Sequence, residues 1–244
     1  MSGGGPVAAR PLRIAQVAPP LEAVPPIAYG GTERIVSELV HELDRRGHHV
    51  TTFASGDSRI PGRHVVTVPE ALRPAGLADD PSASFEETVR MVLERADEFD
   101  LIHSHIERWN LELARRTGVP VVSTFHGRLD VPWAAHAFAD APRGLVAVSE
   151  DQARVHPEAR WTVIHHGLTF DLPPMVGHPG DAFCFIGRIT PEKGILDAVE
   201  VARLTGRRLL VAAKVPTLAG EIEYWESTVE PALVGADVEI LGEL

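Results

Sequence analysis

Cysteine is nearly absent. Cys184 stands alone among 244 residues, so no internal disulfide can form, and its place in the apolar run Phe183, Phe185, Ile186 points to a buried, inert thiol. No apolar run approaches the ~20 residues that a membrane-spanning helix needs. Positive charge is also scarce, with 23 Lys and Arg against 34 Asp and Glu and a formal net charge of -11. Phosphate backbones are held mainly by an excess of cations, so this balance argues against a nucleic-acid partner, and an anionic ligand must be met by local positive groups. No Gly-x-Gly-x-x-Gly follows the first apolar run, which disfavours a dinucleotide oxidoreductase. No Asp-x-Asp is present to hold a divalent ion under a diphosphate. The histidines include the neighbours His48 and His49, His165 and His166, and the i, i+2 pair His103 and His105, but no helical i, i+4 pair of the kind that binds zinc, so no metal site is expected. Residues Met1 to Pro11 are rich in Gly, Pro and Ala and lack the apolar stretch of a secretory signal, so they read as a frayed tail on a cytoplasmic protein.

What is present is alternation. Leu12 to Val17 reads as a buried strand, and Ile35, Val36, Leu39, Val40 and Leu43 recur at helical spacing between Thr32, a candidate cap, and Gly47. Val50 to Ala54 closes a β-α-β unit. Ser84 with Glu87 forms a candidate capping box for a helix carrying Phe85, Val89, Val92, Ala96 and Phe99 inward. Strands are then expected at Asp100 to Ser104, Val121 to Phe125, Leu145 to Ser149 and Trp161 to Ile164, with a short helix at Leu111 to Arg116. Strands and helices in alternation imply a parallel, doubly wound α/β sheet. The Gly- and Pro-rich stretch from His166 to Asp181 has the composition of a linker. Beyond it, strands at Phe183 to Ile186, Arg208 to Ala213 and Asp237 to Leu241 alternate with helices at Gly194 to Leu204 and Glu221 to Leu233. The expected domains are thus 12–170 and 181–244.

Open α/β sheets bind ligands beyond the carboxyl ends of their strands. After the first strand a long loop leads to Gly30 and Gly31 at a helix start, where backbone N–H groups could meet a phosphate or simply make a flexible turn. His103 and His105 follow Ile102, and His126 follows Phe125 with Gly127 and Arg128 behind it, where an imidazole could contact a sugar hydroxyl or be satisfied by nearby backbone. The sharpest local signal is Phe185 to Gly194. In it a strand ends at Gly187 and passes through Arg188 and Lys193 to a helix start, a fork of donors and a point charge suited to a diphosphate.

Together Tyr29-Gly30-Gly31-Thr32-Glu33-Arg34, Phe53-Ala54-Ser55-Gly56-Asp57-Ser58, Ile102-His103-Ser104-His105, Thr124-Phe125-His126-Gly127 and Phe185 to Gly194 make the chain resemble the retaining glycosyltransferases of family 4, from about Arg13 onward. The resemblance implies the GT-B fold of two facing Rossmann-like domains, here a complete N-terminal acceptor-side domain and the first part of a donor-side one. It implies transfer of a hexose from a nucleotide-diphosphate sugar to an acceptor hydroxyl with retention, no metal and no cofactor beyond that co-substrate. By resemblance Gly30 and Gly31 lie near the diphosphate, His126 contacts the transferring sugar, and Gly187, Arg188 and Lys193 hold the diphosphate. His165-His166-Gly167-Leu168-Thr169 stands where the family usually has Asn-Gly-x-Asp, and the family's Glu-x7-Glu segment is not reached before Glu243-Leu244. A missing segment or partner would complete the second domain. The alternatives are a non-catalytic nucleotide-binding or interaction fragment, and a nucleotide-sugar epimerase on the same architecture.

Overall fold

The computed structural model describes residues 10–169, 180–214, 216 and 219–243. Most of the expected tail, Met1 to Pro11, lies outside the described residues, as do Pro173, Pro174, Gly177 and Pro179 of the expected linker. The chain divides into two compact units, the first ending at Thr169.

The first unit holds β1 (Arg13–Val17), α1 (Gly31–Arg45), β2 (His49–Ala54), β3 (Arg63–Val66), α2 (Ser82–Leu93), β4 (Leu101–Ser104), α3 (Arg108–Arg116), β5 (Val121–Phe125), β6 (Leu145–Ala147), α4 (Glu150–Arg154) and β7 (Trp161–Val163). The strands form one parallel sheet in the order β3-β2-β1-β4-β5-β6-β7. A parallel sheet is covered on both faces, so its central strands are mostly buried, and they carry apolar residues mixed with small hydroxyl residues. Ala15, Val17, Phe53 and Ile102 are fully buried, packed with Phe85, Val89 and Val92 of α2. Val36 and Val40 of α1 pack against Val50 and Ala54 from β2. Small hydroxyl residues such as Thr52, Ser104 and Ser123 are also buried, but the largest polar side chain on these strands that is fully buried is Gln16, in the middle of β1, at 0% exposed.

Three local expectations are corrected. Thr32 does not cap α1. The helix begins one residue earlier, with Gly30 as its cap at φ 147, and no side chain bonds to the cap amides. A side chain at Gly30 would put its Cβ 2.6 Å from that of Pro26, so only glycine makes this entry. Ser84 and Glu87 form no capping box, because α2 has already started at Ser82, whose amide is met by Asp80 Oδ1 at 3.3 Å. Ser84 then sits inside the first turn, and its carbonyl accepts from Thr88 Oγ1 at 2.8 Å. Strand β3 was not anticipated. It is a short, half-exposed edge strand paired only with β2, without the apolar run that marks the central strands.

The second unit holds β8 (Phe183–Arg188), α5 (Ile195–Thr205), β9 (Leu209–Lys214), α6 (Ala219–Tyr224), α7 (Glu230–Leu233) and β10 (Val238–Gly242), with a parallel sheet ordered β10-β9-β8. The expected continuous helix over 221–233 is interrupted by one wide turn, Trp225–Val229. Pro231, which has no N–H to give to the preceding turn, stands just beyond it. Phe185, Val211 and Leu209 pack under Ile195, Val199 and Val229. Side chains alternate along a strand, so Cys184 points the other way, beside Ile186, which is 80% exposed. The thiol is exposed, contrary to the buried one expected from its apolar neighbours. Among the described residues no helix is long and apolar enough to cross a membrane.

The loop after β2 rests on one close approach. A Cβ on Gly56 would lie 2.4 Å from the carbonyl oxygen of Pro69, whereas one on Gly118 meets nothing within 4 Å. Gly56→Ala is expected to destabilise the protein by about 1–3 kcal/mol and Gly118→Ala to change it by less than about 0.5 kcal/mol, read from denaturation midpoints. Equal midpoints for the two variants would contradict this packing.

Candidate functional site

The strand order reverses direction at β1 and β4, which is where an open α/β sheet leaves a crevice beyond its carboxyl edge. Gln16 and His103 are register partners across these two strands. Gln16 Nε2 lies 3.3 Å from His103 Nδ1, and Gln16 Oε1 lies 3.0 Å from His105 Nε2. The network continues outward, with His105 Nδ1 2.8 Å from His126 Nε2 and His126 Nδ1 3.2 Å from His166 Nε2. On its other arm His103 Nε2 meets Thr124 Oγ1 at 2.8 Å. His105 is fully buried, whereas His126 is half-buried and His166 exposed. One line of hydrogen bonds thus leads from the middle of the sheet to solvent.

Burial decides the charge state of these rings. It pushes His103 down to about 4 and His126 to about 3, with His166 and His103 adding to the effect on His126. His105 is held well below the ordinary value, first by burial and then by the neighbouring imidazoles, and His166 is lowered by burial. Neutral rings do not bind a diphosphate as cations. Each offers one donor and one acceptor, the equipment for a hydroxyl. His103 and His105 spend both nitrogens inside the network, so of the three expected sugar-contacting histidines only His126 lies at the rim with a nitrogen shared with a surface group.

The backbone around His126 is fixed from three sides. Asn110 on α3 donates to the Thr124 carbonyl at 3.1 Å and accepts from the Ile106 amide at 2.9 Å. Gln152 on α4 donates to the carbonyls of Phe125 at 3.1 Å and Gly127 at 2.7 Å. Glu107 Oε1 accepts from the amides of His126 and Gly127, each at 3.0 Å. Glu107 itself sits at φ 51, a conformation that costs about 1–3 kcal/mol in a residue with a side chain and that the two amide bonds help to hold. Burial raises its carboxyl while those amides lower it. Sequence reading missed Gln16, Glu107, Asn110 and Gln152. The one signal available was a glutamine inside the apolar run Ile14 to Val17.

The start of α1 is not an empty anion cradle. The carboxyl of Glu33, 4% exposed, lies 3.3 Å from where a Cβ on Gly30 would be. Burial raises Glu33 to about 7, against the lowering by backbone amides and by Arg73. Arg73 is paired with Glu22 at 2.8 Å, and its guanidinium lies 5.7 Å from the centre of the Tyr29 ring, so the loop after β1 is pinned to the chain beyond β3. Gly31 is exposed and meets nothing on the Cβ side.

In the second unit, Gly187 takes φ 150 at the end of β8 and Gly194 takes φ 76 as the cap of α5. Arg188 donates to Glu221 at 2.9 Å and to Glu192 at 3.3 Å, which fixes its fork in advance. Lys193 is exposed at the turn into α5. Among the described residues no three His, Cys, Asp or Glu side chains gather as a metal-holding set.

The shifted groups act in opposite senses on stability. His103 and His126 bind protons when unfolded, with an ordinary value of 6.5, but resist them when folded. Stability therefore falls as pH drops from 6.5 toward 4, by up to about 1.4 kcal/mol per pH unit for each ring. Glu33 holds a proton in the fold up to about 7 that the unfolded chain releases above 4.5, so its contribution is lost as pH rises through that window. Glu33→Gln keeps the neutral form at every pH. Its melting temperature is expected to exceed that of the wild type at pH 8 and to match it at pH 4.5, and a Gln variant less stable than wild type at pH 8 would contradict the buried carboxyl.

Comparison with known proteins fits this geometry. No curated protein matches the chain. Among solved structures, AviGT4, a glycosyltransferase involved in avilamycin A biosynthesis, is 26% identical with a TM-score of 0.59 over 96% of this chain and 64% of its own. A glycosyltransferase from Rickettsia africae ESF-5, 18% identical, shares the fold with a TM-score of 0.58 over 96% of this chain and 69% of its own. The chain therefore spans 64% and 69% of the lengths of these two relatives. The sequence pattern described as Glycosyltransferase Family 4 matches residues 29–172, more than half of the chain and nearly all of the first unit's network. Matched to that pattern over more than half of its length, and built on a doubly wound parallel sheet of the GT-B type, this chain is a member of glycosyltransferase family 4.

Proposed function

We propose that this protein transfers a hexose from a nucleoside-diphosphate sugar to an acceptor hydroxyl with retention of configuration at the anomeric carbon. Family membership and the 26% identical glycosyltransferase support transfer of a glycosyl group. The observation that carries the finer reading is the rim position of His126. It is a neutral, hydrogen-bonded imidazole at the carboxyl end of β5, on a backbone fixed by Glu107, Asn110 and Gln152. Such a group suits a sugar hydroxyl.

In this reading residues 12–170 form the acceptor-side domain and residues 181–244 belong to the donor-side one. His126 contacts the transferring sugar, with His103 and His105 behind it. Gly30 and Gly31 lie near the diphosphate, where Glu33, neutral below about 7, lets negative charge approach. Gly187 gives the backbone room at the end of β8, and Arg188 and Lys193 carry the cationic work. As the bond to the anomeric carbon breaks, charge builds on the departing diphosphate. An arginine already held by Glu221 and Glu192, with a lysine beside the start of α5, stabilises that charge without first having to be ordered. No Asp-x-Asp is present to hold a divalent ion, so the two cations take over its role and no further cofactor enters.

The test is turnover with a panel of nucleoside-diphosphate hexoses, following released nucleoside diphosphate and the anomeric signal of the product. Retention, and turnover unchanged by EDTA, are expected. Arg188→Ala and Lys193→Ala should each lower kcat by about a hundred- to thousandfold. His126→Ala should lower kcat while leaving affinity for the free nucleoside diphosphate unchanged. An inverted product, or unimpaired turnover in both cation variants, would overturn this reading.

A further inference from the structure

We propose that Gln16 is a positioning residue. Its one side-chain amide fixes which nitrogen of each buried imidazole carries the proton, so that His126 presents an unprotonated Nδ1 to a hydroxyl-bearing ligand. The second half of this inference rests on the sugar-contacting role given to His126 above.

The argument is one of donor and acceptor counting. A side-chain amide has an oxygen that only accepts and a nitrogen that only donates, and a neutral imidazole has one of each. Gln16 is fully buried between Ala15 and Val17, where an unsatisfied amide would be costly, and its two ends meet two different rings. Because Oε1 can only accept, His105 Nε2 must carry the hydrogen of the 3.0 Å bond. His105 Nδ1 is then a lone pair, so the hydrogen of the 2.8 Å bond belongs to His126 Nε2. His126 Nδ1 is in turn a lone pair and accepts from His166 Nε2 at 3.2 Å. On the other arm Gln16 Nε2 donates to His103 Nδ1, which leaves His103 Nε2 to donate to Thr124 Oγ1 at 2.8 Å. Protonating any buried ring would place two hydrogens in one of these short bonds. The same burial that holds the rings neutral therefore makes the proton order uniform along the chain.

This order has a chemical consequence at the rim. A lone pair at His126 Nδ1 accepts a hydrogen, so it selects a hydroxyl in place of His166. It repels acceptor-only groups such as a carboxylate or a phosphate oxygen. The ligand class favoured at this position is a sugar with a free hydroxyl, and a donor lacking that hydroxyl loses the bond.

Long-range 15N–1H correlation of the histidine side chains at pH 7, without substrate, reads the tautomers directly. The wild type should show His103, His105 and His126 each protonated at Nε2. Gln16→Leu should leave His105 and His126 as mixtures of tautomers and lower kcat roughly three- to tenfold, the worth of one neutral hydrogen bond, with unchanged affinity for nucleoside diphosphate. Gln16→Glu accepts on both arms, so it should switch His103 alone to the Nδ1-protonated form. His126 protonated at Nδ1 in the wild type would overturn the proposal, and so would tautomers indifferent to Gln16→Leu. If the leucine variant fails to fold, the wild-type spectrum and the His103 switch still decide. Because the spectra need no turnover, the predicted tautomers in a protein that transfers no sugar would keep the proton order and reject the enzymatic reading.

Discussion

A polar amide at the centre of a parallel sheet has to be satisfied from within the protein, and in this chain imidazoles satisfy it. Gln16 on β1 holds His103 on β4 and, through His105, His126 beyond β5, so three neighbouring strands are tied together at their carboxyl ends by side chains as well as by the ladder. The cost is that the buried rings must stay neutral. The benefit is placement: around His126 the carbonyls of Thr124, Phe125 and Gly127 and the amides of His126 and Gly127 are bonded to buried or half-buried side chains, so its position does not depend on ligand.

The second unit solves a different problem by a similar device. Its candidate ligand is negative, yet the protein as a whole carries a formal charge of -11, so attraction has to be local. Arg188 is held by Glu221 and Glu192 close to the start of α5, with the exposed Lys193 at the same turn. The carboxylates that orient the arginine also temper it, so a diphosphate would gain from a fixed fork and not from a bare cation. Glu33 at the start of α1 follows the same logic, since burial keeps it largely protonated below about 7 and prevents it from closing that helix terminus to anions.

Much of this was legible in the sequence, for identifiable reasons. Strand Val121–Phe125 was placed to the residue, because its run of β-branched and aromatic residues (Val121, Val122, Thr124, Phe125) is bounded by Pro120 and Gly127. His126 was picked out because it directly follows a strand, where an open sheet binds ligands, and Arg188 and Lys193 because they are two cations between a strand end and a helix start. What escaped were features set by tertiary contact. Strand β3 has too few apolar residues to announce itself, and Cys184 was assigned to the core because a short apolar run does not reveal which of its two faces is covered. The starts of α1 and α2 moved because Gly30 and Asp80, and not Thr32 and Ser84, make the turns into the helices. Glu107, Asn110 and Gln152 carry no spacing signal at all, since each acts on backbone far away in sequence.

In the proposed function the cation pair of the second unit, Arg188 and Lys193, recognises a nucleoside diphosphate. Calorimetric titration of the protein with UDP, GDP, ADP and TDP, each beside its monophosphate, tests it most directly. One-to-one binding of at least one diphosphate, weaker binding of the matching monophosphate, and loss of that preference when Arg188 and Lys193 are both replaced by alanine are expected. Folded protein that binds no diphosphate, or that binds mono- and diphosphates alike, would contradict it.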